Sequence, residues 1–166
     1  MVHKPTRWLS VMVAAVTVVA LCVPSIGFAG SVETQAVSRA DAWESDDSTT
    51  TANVLPATSY HTIHNDDDSD FFMISAEETG TPFVIEMIMT EGDLDWDTQL
   101  YVYDLNADGT LNELQDGDDH EYFATYSSGI FFEAPAPGTY YVEATAHSSG
   151  YTGSYALLMK YTANCI

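Results

Sequence analysis

Hydrophobic and polar residues alternate over short stretches of this chain. In the stretch Thr98–Asp104, Leu100 and Val102 alternate with Tyr101 and Tyr103. A period of two is the pattern of a β-strand, because successive side chains of a strand point to opposite faces of the sheet. The stretch therefore predicts a strand with the two aliphatic residues on one face and the two tyrosines on the other.

Further strands are predicted by similar stretches, which turn-forming residues separate. They are Asn53–Pro56, Ser59–His64, Phe71–Ala76, Phe83–Thr90, Leu111–Leu114, Gly129–Ala134, Thr139–Ala146 and Gly153–Tyr161. Phe83–Thr90 is almost continuously apolar, which indicates a central strand buried on most of both faces. No window shows a sustained helical period. Short strands at regular spacing predict an all-β fold, an antiparallel β-sandwich of jelly-roll type.

The N-terminus has the features of a secretory signal. Lys4 and Arg7 precede the apolar run Leu9–Val23, and small residues lead to a cleavage position after Ala29. The run is shorter than the roughly 20 residues of a membrane-spanning helix, although an uncleaved anchor is the alternative. We expect a secreted protein, extracellular or periplasmic, with this organisation: signal peptide 1–29, flexible lead-in 30–41, β-sandwich 42–162 and tail 163–166.

Acidic residues dominate the predicted mature chain. All 25 Asp and Glu residues follow the signal, and only Arg39 and Lys160 remain as bases, which gives a net charge of −23. Such a surface repels nucleic acid and anionic lipid, so we expect neither as a partner. The excess acid indicates either a saline habitat or divalent-cation sites. Cys165 is the one cysteine left after cleavage, so no intramolecular disulfide is expected. Separately, we expect the protein to be a monomer.

Several motifs occur together in one order. They are Glu44-Ser45-Asp46-Asp47-Ser48, Asp68-Ser69-Asp70-Phe71-Phe72, Asp97-Thr98-Gln99-Leu100-Tyr101-Val102-Tyr103-Asp104, Asp118-Asp119, Pro137-Gly138-Thr139-Tyr140-Tyr141-Val142 and Gly153-Ser154-Tyr155-Ala156-Leu157. In this order they resemble motifs of the bacterial pre-peptidase C-terminal (PPC) domain. The resemblance implies a β-sandwich usually appended to secreted proteases and related to the calcium-dependent collagen-binding domains of bacterial collagenases. Ser45 and Asp46 depart from the family's usual Pro and Asn.

A calcium site is implied by the resemblance to the collagen-binding relatives. Calcium takes six to eight oxygen ligands, and two carboxylates about 4 Å apart repel by about 4 kcal/mol at an effective dielectric constant near 20. Carboxylates that meet in the fold therefore favour a bound cation. The predicted ligands of this first site are Glu44, Asp46, Asp47, Asp67, Asp68 and Asp70.

A second calcium candidate is the turn Asp104-x-Asn106-x-Asp108-Gly109. It reproduces the first six positions of an EF-hand loop, including the glycine. Gln115 stands where the loop needs a bidentate glutamate. The favoured alternative is a β-hairpin turn rich in Asn, Asp and Gly.

Patterns typical of enzymes are weak. No serine lies in a nucleophile elbow, and His61 and His64 should face opposite ways on a strand, so they should not bind zinc together. Asp95 and Asp97 could act as a glycosidase pair, which makes a small carbohydrate-active hydrolase the alternative function. We expect a protein that is not an enzyme.

Tyrosines form a candidate ligand platform. Tyr101 and Tyr103 share a strand face, and Tyr141 belongs to the doublet Tyr140-Tyr141, of which one residue should pack in the core and the other lie nearer solvent. Exposed tyrosines can bind a sugar or an extended protein segment, although the alternative is that they complete the packing of the sheet. The sequence thus predicts a secreted, non-catalytic, calcium-binding module for adhesion, targeting or solubility, with an extracellular protein or polysaccharide as partner. A salt-adapted structural domain without a specific ion is the other alternative.

Overall fold

Nine β-strands make up the computed structural model. It describes residues 39–92, 96–119 and 126–161, and of Tyr161 it describes the backbone only. The predicted signal peptide, Asp95, Cys165 and the tail lie outside the described residues. The strands are β1 Asn53–Val54, β2 Thr58–Ile63, β3 Asp70–Ala76, β4 Pro82–Gly92, β5 Thr98–Leu105, β6 Leu111–Gly117, β7 Ser128–Glu133, β8 Gly138–Ala146 and β9 Gly153–Tyr161. In this described part of the chain, no helix is long and apolar enough to cross a membrane.

The strands form two sheets. One sheet has the order β1-β3-β8-β5-β6, and the other has the order β2-β9-β4-β7. The predicted all-β sandwich is therefore confirmed. One pair differs from the predicted antiparallel arrangement, because the two-residue strand β1 runs parallel to β3. The chain before β1 already follows β3, where the Phe71 amide donates to the Asp46 carbonyl at 2.9 Å.

The core contains the aliphatic face of β5. Leu100 and Val102 are fully buried, whereas Tyr101 and Tyr103 on the opposite face are half-buried. This confirms the alternation read from the sequence. Strand β4 lies between β9 and β7. Its burial holds from Pro82 to Met87 but not beyond, so the predicted central strand is buried only in its first half.

The segment before β1 packs against β2 and β3. Asp41 accepts a hydrogen bond from the Thr62 amide at 2.7 Å, and the Thr62 hydroxyl donates to the Arg39 carbonyl at 3.0 Å. The end of the stretch predicted as a lead-in thus contacts the sheet. This contact brings the acidic residues near position 44 beside those near position 68.

Candidate metal centre

The first group of candidate ligands, here called the outer cluster, consists of Glu44, His64 and Asp68. Nδ1 of His64 lies 2.9 Å from Oε1 of Glu44 and 2.5 Å from Oδ2 of Asp68. The His64 amide also donates to Oδ2 of Asp68 at 2.6 Å. Oδ1 of Asp68 is buried and has no hydrogen-bond partner. One buried acceptor therefore remains unsatisfied beside the ion pair of His64 with the two carboxylates.

The electrostatics of the outer cluster oppose ionisation. Burial raises the pKa of Glu44, and the charge of Asp68 adds to this effect. Burial likewise raises the pKa of Asp68, against the hydrogen bond from the His64 amide. The exposed carboxylate of Asp47 contributes to raising both pKa values. A cation at this place would relieve the repulsion among the three carboxylates.

A second group, the inner cluster, consists of Asp41, His61 and Asp70. Each offers a ligand atom, and these atoms all lie within 4.8 Å of one another. The His61 ring stacks on Tyr155 with centroids 5.4 Å apart and meets the edge of Phe72 at 4.8 Å. Burial lowers the pKa of His61 to about 4, although nearby Asp41 opposes this shift.

Two fully buried carboxyl groups, those of Asp70 and Asp46, lie beside each other at this inner cluster, where their side chains share a hydrogen bond. Oδ2 of Asp70 accepts a hydrogen bond from the Tyr155 hydroxyl. Burial raises the pKa of Asp70 to about 9 despite that bond. Burial also raises the pKa of Asp46 to about 6, and Asn53 opposes the shift by donating to Oδ2 of Asp46 at 3.3 Å.

The six predicted calcium ligands are therefore divided between the two clusters. Glu44 and Asp68 meet in the outer cluster beside Asp47, whereas Asp46 and Asp70 are buried at the inner cluster. Asp67 is exposed, and its amide donates to Oδ1 of Asn65 at 2.8 Å; the structure does not bring its side chain to either cluster.

Sequence reasoning missed Asp41, His61 and His64 as members of these clusters. One signal for His61 was available. Along β2, the residues Ser59, His61 and Ile63 occupy the buried face, so the alternating pattern points the imidazole inward. No comparable signal exists for His64, because it follows the end of the strand.

The EF-hand-like segment is the turn between β5 and β6. Asp108 accepts from the amide of Thr110 at 3.1 Å and from its hydroxyl at 2.7 Å. Asp104 accepts from Asn112 at 2.8 Å, and Gly109 has the positive φ of 82° that this tight turn requires. The structure thus has a β-hairpin here, in which one carboxylate oxygen of Asp104 and one of Asp108 are already hydrogen-bonded. Calcium binding by Asp104, Asn106 and Asp108 stays a prediction.

A third acidic group joins Asp97 to Asp118 and Asp119. Burial raises the pKa of Asp97, and the charges of Asp118 and Asp119 add to the shift. His147 lies 4.0 Å from Asp97 and 3.7 Å from Asp118. Asp97 is thus placed among acidic residues from the end of β6, while its predicted glycosidase partner lies outside the described residues.

Comparison with known proteins shows a match to one family model. Residues 68–146 match the family model of the bacterial pre-peptidase C-terminal domain. The resemblance to the PPC family is confirmed. PPC domains are non-catalytic modules that occur in secreted bacterial proteins. The matched residues begin at Asp68 of the outer cluster and end with β8.

One of two similar solved structures shows the same fold. The crystal structure of the pre-peptidase C-terminal domain of collagenase from Bacillus anthracis has 17% sequence identity and a TM-score of 0.50, covering 66% of this chain and 94% of that one. A crystal structure of a Sulfurospirillum deleyianum protein shares 8% identity with a TM-score of 0.33, over 64% of this chain and 99% of that one. No curated protein matches the chain.

The outer face of the five-stranded sheet of this PPC-type sandwich carries the predicted tyrosine platform. The rings of Tyr101 and Tyr103 stack with centroids 6.0 Å apart, and Tyr141 pairs with Tyr103 across β5 and β8. The Tyr103 hydroxyl donates to Glu143 at 2.9 Å. All three tyrosines are half-buried. They lie side by side, and ligand binding by them stays a prediction.

Proposed function

We propose that this chain is a secreted, non-catalytic PPC module that binds one calcium ion at the outer cluster. The observation that carries the proposal is the convergence of Glu44 and Asp68, two acidic residues from separate parts of the chain, with Asp47 close enough to affect both. Asp68 has a buried oxygen without a hydrogen-bond partner. A buried acceptor is costly unless something satisfies it, and a cation would satisfy it while offsetting the charges of the other two carboxylates.

Calcium fits the donor set better than other common cations. Its ligands in proteins are carboxylate, carbonyl and water oxygens, and several carboxylates raise the affinity. Glu44, Asp47 and Asp68 supply the carboxylates of this site. The imidazole nitrogen of His64 is not a preferred calcium ligand, so we assign it a place beside the ion. The ion would also tie the segment before β1 to the turn before β3, since Glu44 and Asp68 lie on these two segments.

The role of the module follows from three features. The sequence starts with the features of a secretory signal, the family occurs in secreted bacterial proteins, and the structurally similar domain from Bacillus anthracis is part of a collagenase. Adhesion or targeting to an extracellular protein or polysaccharide agrees with these features. The row of Tyr101, Tyr103 and Tyr141 on the outer sheet face is the surface to which we assign that partner.

Calcium binding can be tested by isothermal titration calorimetry at constant ionic strength. The wild type should bind one calcium ion with a Kd of about 0.1–1 mM, the range of extracellular modules. Asp68→Asn removes a buried ligand charge and should weaken binding at least tenfold. Asp67→Asn, an exposed neighbour in the same turn, should leave the Kd unchanged and is the matched control. Absence of saturable binding in the wild type would indicate that the acidic residues reflect adaptation to salt.

Secretion can be tested separately by expressing the full chain in a bacterial host. Protein recovered outside the cytoplasm should begin at Gly30. Retention of the intact N-terminus in the membrane fraction would instead indicate an uncleaved anchor.

A further inference from the structure

We propose that Asp41, His61 and Asp70 form a binding site for a divalent transition-metal ion of the zinc type, distinct from the calcium site of the outer cluster. The three side chains come from the segment before β1, from β2 and from β3. Their ligand atoms lie within 4.8 Å of one another. One imidazole and two carboxylates are a set of protein ligands that zinc accepts, with a fourth position left for water.

The buried histidine points to a ligand independently of the acidic residues. His61 is 2% exposed, and neither of its ring nitrogens has a hydrogen-bond partner. The carboxyl group of Asp70, which is 0% exposed, lies beside the equally buried carboxyl group of Asp46. A buried polar atom without a partner is destabilising. A single metal ion at the inner cluster would provide a partner for the imidazole and would offset the repulsion between the adjacent carboxylates.

One edge of the cluster has nearly the spacing of a tetrahedral site. Metal–ligand bonds of about 2.0–2.2 Å place neighbouring ligand atoms about 3.3–3.6 Å apart. Nδ1 of His61 lies 3.7 Å from Oδ2 of Asp41, so a shift of a few tenths of an ångström would complete this edge of the site. Two carboxylates would balance the charge of the ion.

The chemistry of the ligands selects the kind of metal. Calcium and magnesium prefer oxygen ligands, whereas zinc, copper, nickel and iron accept imidazole nitrogen together with carboxylates. A ligand set with His61 at its centre therefore favours a transition metal. The outer cluster, with its carboxylate ligands, is the site that calcium would prefer. It lies close to the inner cluster, because the charge of Asp68 helps to raise the pKa of Asp70.

The surrounding structure orients the ligands, and an open cleft gives a metal ion access to them. Asp41 accepts from the Trp43 amide at 2.6 Å and from the Thr62 amide at 2.7 Å. The Tyr155 hydroxyl holds Asp70. Such hydrogen bonds to ligating groups are typical of metal sites, where they fix the direction of each ligand. A cleft of about 220 Å³ is lined by Asp41, His61 and Tyr155, among others, and it would admit the ion.

The test is titration of the metal-free full chain with ZnCl2 by calorimetry and with CoCl2 by visible absorption. The wild type should bind one zinc ion, and cobalt should give the intense absorption bands of a low-coordinate site with a nitrogen ligand. His61→Phe keeps the ring packing against Tyr155 and should weaken zinc binding at least tenfold and abolish the cobalt bands. Asp41→Asn, at a partly exposed position, should weaken binding by a similar factor. Five millimolar calcium should not displace the zinc.

His147→Gln is the matched control, because His147 also lies near two carboxylates but is half-exposed. This variant should bind zinc as the wild type does. The proposal is overturned if the wild type binds no zinc, or if folded His61→Phe and Asp41→Asn both bind it with unchanged affinity. It is equally overturned if His64→Gln, rather than His61→Phe, abolishes binding, because the ion would then sit in the outer cluster.

Discussion

Tyr155 donates its phenolic hydrogen to Oδ2 of Asp70, and both side chains are completely buried. The bond joins an aromatic residue of β9, which packs in the core, to the acidic residue that begins β3. The buried end of the inner cluster is therefore anchored in the hydrophobic core. This explains how a carboxyl group can be held, fully buried, at the start of a core strand.

The contribution of this bond to stability can be measured with Tyr155→Phe. The variant keeps the ring but leaves Oδ2 of Asp70 without a donor, so the free energy of unfolding in metal-free buffer should fall by about 1–3 kcal/mol. Urea denaturation followed by fluorescence gives this value. Tyr60→Phe is the control, because Tyr60 is 69% exposed and loss of its hydroxyl should change little. Equal stabilities of the two variants would show that the bond contributes nothing.

Gly153 should tolerate no side chain. A Cβ added there would lie 2.5 Å from Cε2 of Trp96, and Trp96 is fully buried, so the indole has no room to move. Gly153→Ala should lower the free energy of unfolding by about 1–3 kcal/mol, the cost of overpacking. Gly138→Ala is the control, since nothing lies within 4 Å of its added Cβ. Denaturant titration of both variants would contradict this reasoning if Gly153→Ala matched the wild type.

Glu86 and Lys160 form an ion pair across β4 and β9, with Nζ 2.8 Å from Oε2. Glu86 is buried, whereas Lys160 is exposed. Lys160→Ala should therefore destabilise the fold by about 1–2 kcal/mol, because it leaves a buried carboxylate without its cation. The double variant Glu86→Gln with Lys160→Met should recover most of the loss. Thermal unfolding would count against this account if the double variant were no more stable than Lys160→Ala.

The fold was predictable because it depends on a local pattern. The alternation of Leu100 and Val102 with Tyr101 and Tyr103 states which side chains enter the core, and the structure agrees. The parallel pairing of β1 with β3 was not predictable in this way. It depends on the path of the chain before β1, and the alternation of hydrophobic and polar residues does not predict that path.

The site was predictable as a region but not as a set of contacts. Asp67 and Asp68 are adjacent in sequence, yet only Asp68 is buried beside Glu44. The direction of each carboxylate depends on the backbone of a turn, and composition does not contain this information. Asp41 and His61 meet because the segment before β1 packs on β2. That packing is a tertiary contact between residues far apart in sequence.

The last prediction separates the two calcium candidates through stability. An ion that binds only the folded chain adds RT ln(1 + [Ca]/Kd), about 2.7 kcal/mol at a hundredfold excess over the Kd. For a domain of this size the melting temperature should rise by several degrees. Sodium chloride at matched ionic strength screens the acidic surface to the same extent, so the difference between the two salts reports specific binding.

The two candidates differ in which variant removes that difference. Asp68→Asn should abolish the extra stabilisation by calcium, because Asp68 has a buried oxygen free to bind the ion. Asp108→Asn should retain it, because the Asp108 carboxylate is engaged with Thr110 in the β5–β6 turn. Differential scanning calorimetry of both variants in each salt measures the effect. Loss of the calcium effect in Asp108→Asn alone would show that the ion binds at the hairpin turn. Equal melting temperatures of the wild type in both salts would show that the acidic surface reflects adaptation to salt.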